Sequence, residues 1–135
     1  AQRDASSIVQ QNSRLMGLNV TEKAQLFLLP AEFEDAKYPG QRFFCRHGAL
    51  VEGVLGAYPA IRDQLDIEFV DFPRPRARVI EAVGEGNQGL PVLILPAGEA
   101  SAAATGEANG RRFATGSDAI LAMLAERHGI AIVHP

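Results

Sequence analysis

The sequence contains no tryptophan and a single cysteine in 135 residues. One cysteine cannot close an internal disulfide, so the chain is no disulfide scaffold, and a reducing cytoplasm is the expected compartment. No apolar run approaches the roughly 20 residues that a bilayer-spanning helix needs. Leu26 to Leu29 is far too short, and no membrane partner is expected. Excess positive charge is also missing: 13 Lys and Arg stand against 16 Asp and Glu, a formal net charge of −3. That balance gives no basic footprint for nucleic acid. Residues 1–24 include Arg3, Asp4, Gln10, Gln11 and Arg14 without a continuous apolar stretch, so they do not read as a signal peptide. The sequence begins without methionine, which leaves a trimmed secreted chain open. What is present is a composition 47% hydrophobic, enough for one globular domain with a buried core.

The first elements follow from local pattern. Ile8, Leu15 and Leu18 suggest a short helix over Ser6 to Leu18. Gln25-Leu26-Phe27-Leu28-Leu29 reads as a fully buried strand stopped by Pro30. Ala31 to Arg42, with Glu32, Glu34, Asp35, Lys37, Pro39 and Gly40, is a loop long enough to suggest a functional or partner-facing role. Phe43 to Tyr58 turns helical, with Phe44, Val51 and Leu55 on one face and Phe43, Leu50 and Val54 broadening it. Its small residues Gly48, Ala49, Gly53 and Gly56 suggest close packing against the sheet or another chain, and a homodimer is the partner that fits the second case.

Farther along, Pro59 to Leu65 reads as a turn and Ile67 to Phe72 as a second strand. Pro73 and Pro75 end it and start a helix with Val79, Ile80 and Val83 on its apolar side. Gly84 to Gly89 is a breaker before a buried strand from Pro91 to Leu95. Pro96 to Gly110 lacks any large apolar residue and reads as an elongated hairpin tip. Arg111 to Ala114 then forms a short strand antiparallel to the previous one. Ser117 is placed to cap a helix that buries Ile120, Leu121 and Leu124 and ends at Gly129.

Two segments carry a resemblance. A proline at the head of a buried strand cannot donate to the sheet, and a cis Leu90-Pro91 bond would leave Leu90 free to pair with an extended ligand. Asn87-Gln88-Gly89-Leu90-Pro91-Val92-Leu93, followed by Thr115-Gly116-Ser117-Asp118 at a helix start, resembles the thioredoxin-like superfamily. The likeness is to glutaredoxins and to the glutathione-binding half of glutathione S-transferases. In detail the chain looks most like an uncharacterised family of small, stand-alone bacterial thioredoxin-like proteins. The resemblance implies an α/β fold, a β-α-β-α-β-β-α three-layer sandwich over 25–135, with 1–24 as a short N-terminal helical extension. It implies that Leu90 and Pro91 receive the cysteinyl part of glutathione, while Ser117 and Asp118 receive its γ-glutamyl group. A helix N-terminus suits such a carboxylate, although Thr-Gly-Ser-Asp is also an ordinary capping sequence. A complete transferase needs a second, all-helical domain and is not expected here.

Cys45 is the candidate nucleophile, in Phe43-Phe44-Cys45-Arg46-His47-Gly48 near the start of the first helix after the first strand. A helix N-terminus with Arg46 and His47 close by favours a thiolate. Its helical position groups it with Ala49 and Glu52, off the core stripe. Gly48 stands where a Cys-x-x-Cys pair would have its second cysteine, which leaves a monothiol route using external glutathione. The bland alternative is a small buried cysteine. Arg74, Arg76 and Arg78 could clamp the glycyl carboxylate of glutathione, or form a solvated face pairing with Glu81 and Glu85. His47 is expected to bond to the loop, and Tyr38 is a thiol-activating hydroxyl or a packing residue. No metal site is expected, because no second Cys pair or spaced His cluster joins His47. The competing reading is a non-catalytic thioredoxin-like binding or self-association module.

Overall fold

A computed structural model describes residues 22–135, and the helix expected over Ser6 to Leu18 lies outside them. Strand β1 (Ala24–Leu28) is apolar on both faces and buried at four of its five residues. Strands β2 (Leu65–Phe69), β3 (Val92–Ile94), β4 (Gly106–Ala108) and β5 (Arg111–Thr115) join it in one sheet of order β2-β1-β3-β5-β4. β1 and β2 run parallel with Leu26 opposite Ile67, and the remaining neighbours are antiparallel, with Leu26 opposite Leu93 on the other side. Among the described residues the helices are α1 (Arg46–Ala57), α2 (Pro59–Arg62), α3 (Ala77–Val83) and α4 (Ser117–His128).

The alternation of side chains along the strands divides the core in two. Leu26, Leu28, Leu93 and Leu95 meet Val51 and Leu55 of α1 and Ile120, Met123 and Leu124 of α4. Phe27, Val92, Ile94 and Phe113 turn the other way, onto Val79 and Val83 of α3. Each of these large side chains is worth about 1.5–3 kcal/mol when fully buried. The sheet is therefore the shared wall of both clusters, and the class is mixed α/β as expected.

Several boundaries differ from the sequence reading. The first long helix begins at Arg46, because the N–H and C=O of Phe43 are spent on Phe33 in an isolated antiparallel bridge, at 2.8 and 2.9 Å. The span Pro59 to Leu65 contains the one-turn helix α2, opened by a proline at its first position. The second strand starts and stops earlier than Ile67 to Phe72, since the parallel ladder sets Leu65 against Ala24. Within the expected hairpin tip lies β4, an edge strand of sequence Gly106-Glu107-Ala108. A Cβ at Gly106 would run into the ring of Phe113, so the aromatic occupies the space that a side chain would need. Of the small residues of α1, Gly48 lies against Leu28 of the sheet as expected, whereas nothing stands within 4 Å of a Cβ built at Gly53 or Gly56.

At the end of α4 the helix closes on Gly129 in a left-handed conformation, φ 70°, as expected. The preceding His128 has its Nε2 buried without a hydrogen-bond partner. Burial pushes its pKa below the ordinary value of 6.5, the Arg127 charge adds to that push, and Glu99 opposes it. An imidazole held neutral by the fold binds fewer protons than the unfolded chain, so stability is full above pH 6.5 and declines as pH falls below it. The melting temperature is expected to drop less between pH 7 and pH 5 in His128→Leu than in the wild type. An equal drop in both would show that His128 carries none of the acid sensitivity.

Candidate functional site

Cys45 does not lie inside the helix but caps it. Its backbone is extended (φ −84°, ψ 121°), its carbonyl accepts from Ala49 N–H at 2.9 Å, and its sulfur accepts from Gly48 N–H at 3.4 Å. The sulfur is thus one of the groups that satisfy the orphan donors of α1, at the positive end of the helix dipole. Cys45 is partly exposed. It opens on a pocket of about 230 Å³ floored by Leu28 and walled by Pro30, Phe44, Ala49 and Glu52. The expected grouping of Cys45 with Ala49 and Glu52 is therefore present in this pocket.

The next residues join Cys45 to the start of α4, which packs on the same face of the sheet as α1. His47 sits on the first turn of α1, and its Nδ1 lies 2.9 Å from Ser117 Oγ, across 70 residues of sequence. His47 had been expected to bond to the loop; the α4 start is its partner instead, because the first turns of α1 and α4 lie side by side. Ser117 is 6% exposed, and the residue that caps α4 is Gly116, at φ 86° and ψ 152°, in place of Ser117. That backbone conformation is one that glycine reaches without strain. Gly116 N–H points at the carbonyl of Pro91, 3.4 Å away. The Leu90-Pro91 bond is cis. Pro91 is buried and Leu90 partly so, and among the described residues no hydrogen bond engages the backbone N–H or C=O of Leu90. Cys45, His47, Ser117, Gly116 and Pro91 thus follow one another through space, with Asp118 exposed at the edge.

The arginines separate. Arg74 is exposed, and the bond that follows it, Arg74-Pro75, is cis. Arg78 pairs with Glu68 at 2.9 Å and with Glu81 at 2.8 Å, which is the solvated face expected of it with Glu68 in place of Glu85. Its hydrogen bonds hold the Glu68 carboxyl below the ordinary value. Arg76 is 6% exposed. Its Nε and one terminal nitrogen donate to the carbonyl of Phe72 at 2.9 and 2.5 Å, and the other terminal nitrogen donates to the carbonyl of Gln88 at 2.8 Å. The Gln88 side chain returns the contact, accepting from Arg76 N–H at 2.8 Å. Burial lowers the Arg76 pKa, the neighbouring Arg74 adds to this, and Cys45 acts in the opposite direction.

Phe72 and Gln88 had not been singled out in the sequence. An arginine soon after Pro73 and Pro75 could have hinted that the chain turns inward there, but nothing local distinguishes Arg76 from Arg74. An aromatic stack completes the region. Phe72 lies under the Arg76 guanidinium at 5.3 Å and stacks on Phe33 at 4.6 Å, and Phe33 pairs with Phe43, two residues before Cys45. Tyr38 meets Phe43 edge-on at 5.8 Å, which is a packing role. Among the described residues no cluster of three His, Cys, Asp or Glu could hold a metal ion, and no helix is long and apolar enough to cross a membrane.

A family model described as a protein of unknown function, DUF3088, matches residues 23–132. No curated protein and no solved structure matches the chain at a significant level.

Proposed function

The chain belongs to the DUF3088 family, and on the topology and the placement of Cys45 we propose that it is a thioredoxin-like protein that binds glutathione or a related thiol and exchanges it through Cys45. The strand order β2-β1-β3-β5, with a parallel first pair and antiparallel neighbours after it, supports the thioredoxin-like topology, and β4 is then an added edge. The observation that carries the chemistry is Cys45 at the N-terminus of α1, a partly exposed residue two positions before His47, whose ring meets Ser117 beside Gly116, the residue that bonds the Pro91 carbonyl.

The exchange is a monothiol cycle. The Cys45 thiolate attacks the glutathione-side sulfur of a mixed disulfide, a new S–S bond forms to Cys45, and the substrate thiolate leaves and takes a proton from water. A second glutathione thiolate then attacks the glutathione sulfur held on Cys45, releasing oxidised glutathione and restoring the Cys45 thiolate. The net exchange turns the mixed disulfide and one glutathione thiol into the substrate thiol and oxidised glutathione: the substrate sulfur is reduced, the sulfur of the second glutathione is oxidised, and the sulfur that passes through Cys45 stays at the disulfide level. The backbone of Leu90 would pair with the glutathione backbone beside the sulfur, and the α4 start at Ser117 and Asp118 would receive its charged end. Arg74 is exposed and available to the glycyl carboxylate, whereas Arg76 commits most of its donors to carbonyls. A reducing, cytoplasmic compartment fits this cycle.

Incubation with a glutathione mixed disulfide of a small thiol tests the reading. The expected results are a glutathione adduct on the peptide that contains Cys45 and turnover when glutathione and glutathione reductase are supplied. Absence of both would end the exchange reading. Exposed Phe44 (70%) and Leu50 (46%) favour the second reading, a binding or self-association module. A missing adduct together with a dimer mass in light scattering would select it.

A further inference from the structure

We infer that the slot beside Cys45 takes the apolar substituent of the thiol that exchanges there, an aliphatic or aromatic group between butyl and benzyl in size. This rests on the exchange reading of Cys45 and narrows its substrates to disulfides of small apolar thiols.

The first turn of α1 serves two sides. His47 reaches α4 at Ser117, toward Gly116 and Pro91, whereas Cys45, Gly48, Ala49 and Glu52, spaced at helical intervals of three and four, line the slot on the other side. Leu90, Pro91, Ser117 and Asp118 take no part in that lining. A thiol ligand laid along Leu90 therefore leaves the slot free, and a disulfide has two substituents to place. Gly48 carries no side chain where a Cβ would stand 3.9 Å from both the Cys45 sulfur and a Leu28 methyl. Room beside the sulfur is kept open in this way.

The lining sets the chemistry of the occupant. Leu28, Phe44 and Ala49 offer carbon, and Pro30 has no N–H to donate. Among the described residues Glu52 is the one charged member of the lining, and its carboxylate is already bound by Arg62. A cationic substituent finds no free counter-charge here, and an anionic one meets a carboxylate. The volume, about 230 Å³, exceeds the roughly 150 Å³ in which an apolar cavity holds benzene. Phe44, 70% exposed, is a large apolar ring left in water at the wall of the slot, and a substituent seated there would cover part of it.

The test labels the wild type and Ala49→Leu with methyl, ethyl, propyl, butyl and benzyl methanethiosulfonates. The Cys45 thiolate attacks the divalent sulfur, a new disulfide joins R–S to Cys45, and methanesulfinate leaves, so no glutathione is needed. Each rate is divided by that of the same reagent with free glutathione, which removes intrinsic reactivity. A methylene moved fully out of water is worth about fourfold; in a slot open on one side the ratio is expected to rise about twofold per methylene, roughly eightfold from methyl to butyl, with benzyl close to butyl. Leucine at position 49 fills the slot and is expected to flatten the series. A flat series in the wild type, no labelling of Cys45, or an unchanged slope in a folded Ala49→Leu overturns the slot. Should that variant fail to fold, the melting temperatures of the wild-type adducts decide: they climb from methyl to butyl when the substituent is buried, and a level or falling order overturns the slot. Glutathione turnover is read separately: a rising series without turnover supports the slot and removes the exchange reading, whereas turnover with a flat series removes the slot alone.

Discussion

Replacing Cys45 by serine is expected to abolish glutathione-dependent turnover while leaving the protein at least as stable as the wild type. The two effects run in opposite directions for one structural reason. In the proposed exchange the residue would work through a thiolate, and a serine hydroxyl at neutral pH has neither the ionised fraction nor the sulfur-sulfur chemistry that exchange needs. As a helix cap it works through an acceptor atom aimed at Gly48 N–H, and here the sulfur at 3.4 Å is a weak partner. Serine is among the preferred capping residues, worth about 1 kcal/mol over a residue that does not cap. Turnover should fall to background and thermal unfolding should stay level or shift upward by up to about 1 kcal/mol. Retained turnover would show that Cys45 is not the reacting group. A clear loss of stability would show that the sulfur serves packing that oxygen cannot replace.

The second large effect is expected from Gly48→Cys. A Cβ built on Gly48 lies 3.6 Å from the Cβ of Cys45 and 3.9 Å from its sulfur, with the Leu28 methyl at 3.9 Å as its other close neighbour. Bridged cysteines have Cβ atoms about 3.5–4.5 Å apart, so this geometry admits a disulfide without moving the backbone. All three contacts are ordinary van der Waals distances, and leaving glycine in a helix removes a penalty of roughly 0.5–1 kcal/mol. Mild oxidation should therefore take the variant from two free thiols to none, as a monomer on a non-reducing gel. The oxidised form should then accept electrons directly from a dithiol, a cycle that the natural chain cannot run with one cysteine. Two persistent free thiols, or dimers alone, would show that the first turn of α1 does not hold the Cys-x-x-Cys geometry.

The parts of the fold that could be read in advance are those in which one residue pattern decides the outcome. Leu26, Phe27 and Leu28, or Val92, Leu93 and Ile94, are apolar on both faces and had to be central strands. Ile120, Leu121 and Leu124 mark a buried helix face, although Met123 belongs to it as well. β4 was not legible because Gly106-Glu107-Ala108 carries no strand signal of its own; its place is set by pairing with Arg111–Phe113 and by the bulk of the Phe113 ring. Phe43 went to the helix by periodicity, whereas a distant backbone partner, Phe33, took its hydrogen bonds. The site divides in the same way. Cys45 near a helix start and the cis Leu90-Pro91 bond could be anticipated from local spacing. The contact of His47 with Ser117 and that of the Arg76 guanidinium with the Gln88 carbonyl join segments 70 and 12 residues apart, and no local pattern encodes them.

The Phe33 and Phe43 bridge has a consequence for how this surface can vary. Its two backbone hydrogen bonds and the stack onto Phe72 clasp the base of the long loop a few residues before Cys45. Residues 34–42 hang outside that clasp, mostly exposed, with their own small turn at Asp35. Longer surface loops cost little once their ends are held, and each doubling of length adds only about 0.6 kcal/mol. The stretch can therefore serve as a cassette: an engineer can lengthen it, recharge it or graft a recognition peptide there while the sulfur a few residues downstream keeps its place at the helix start.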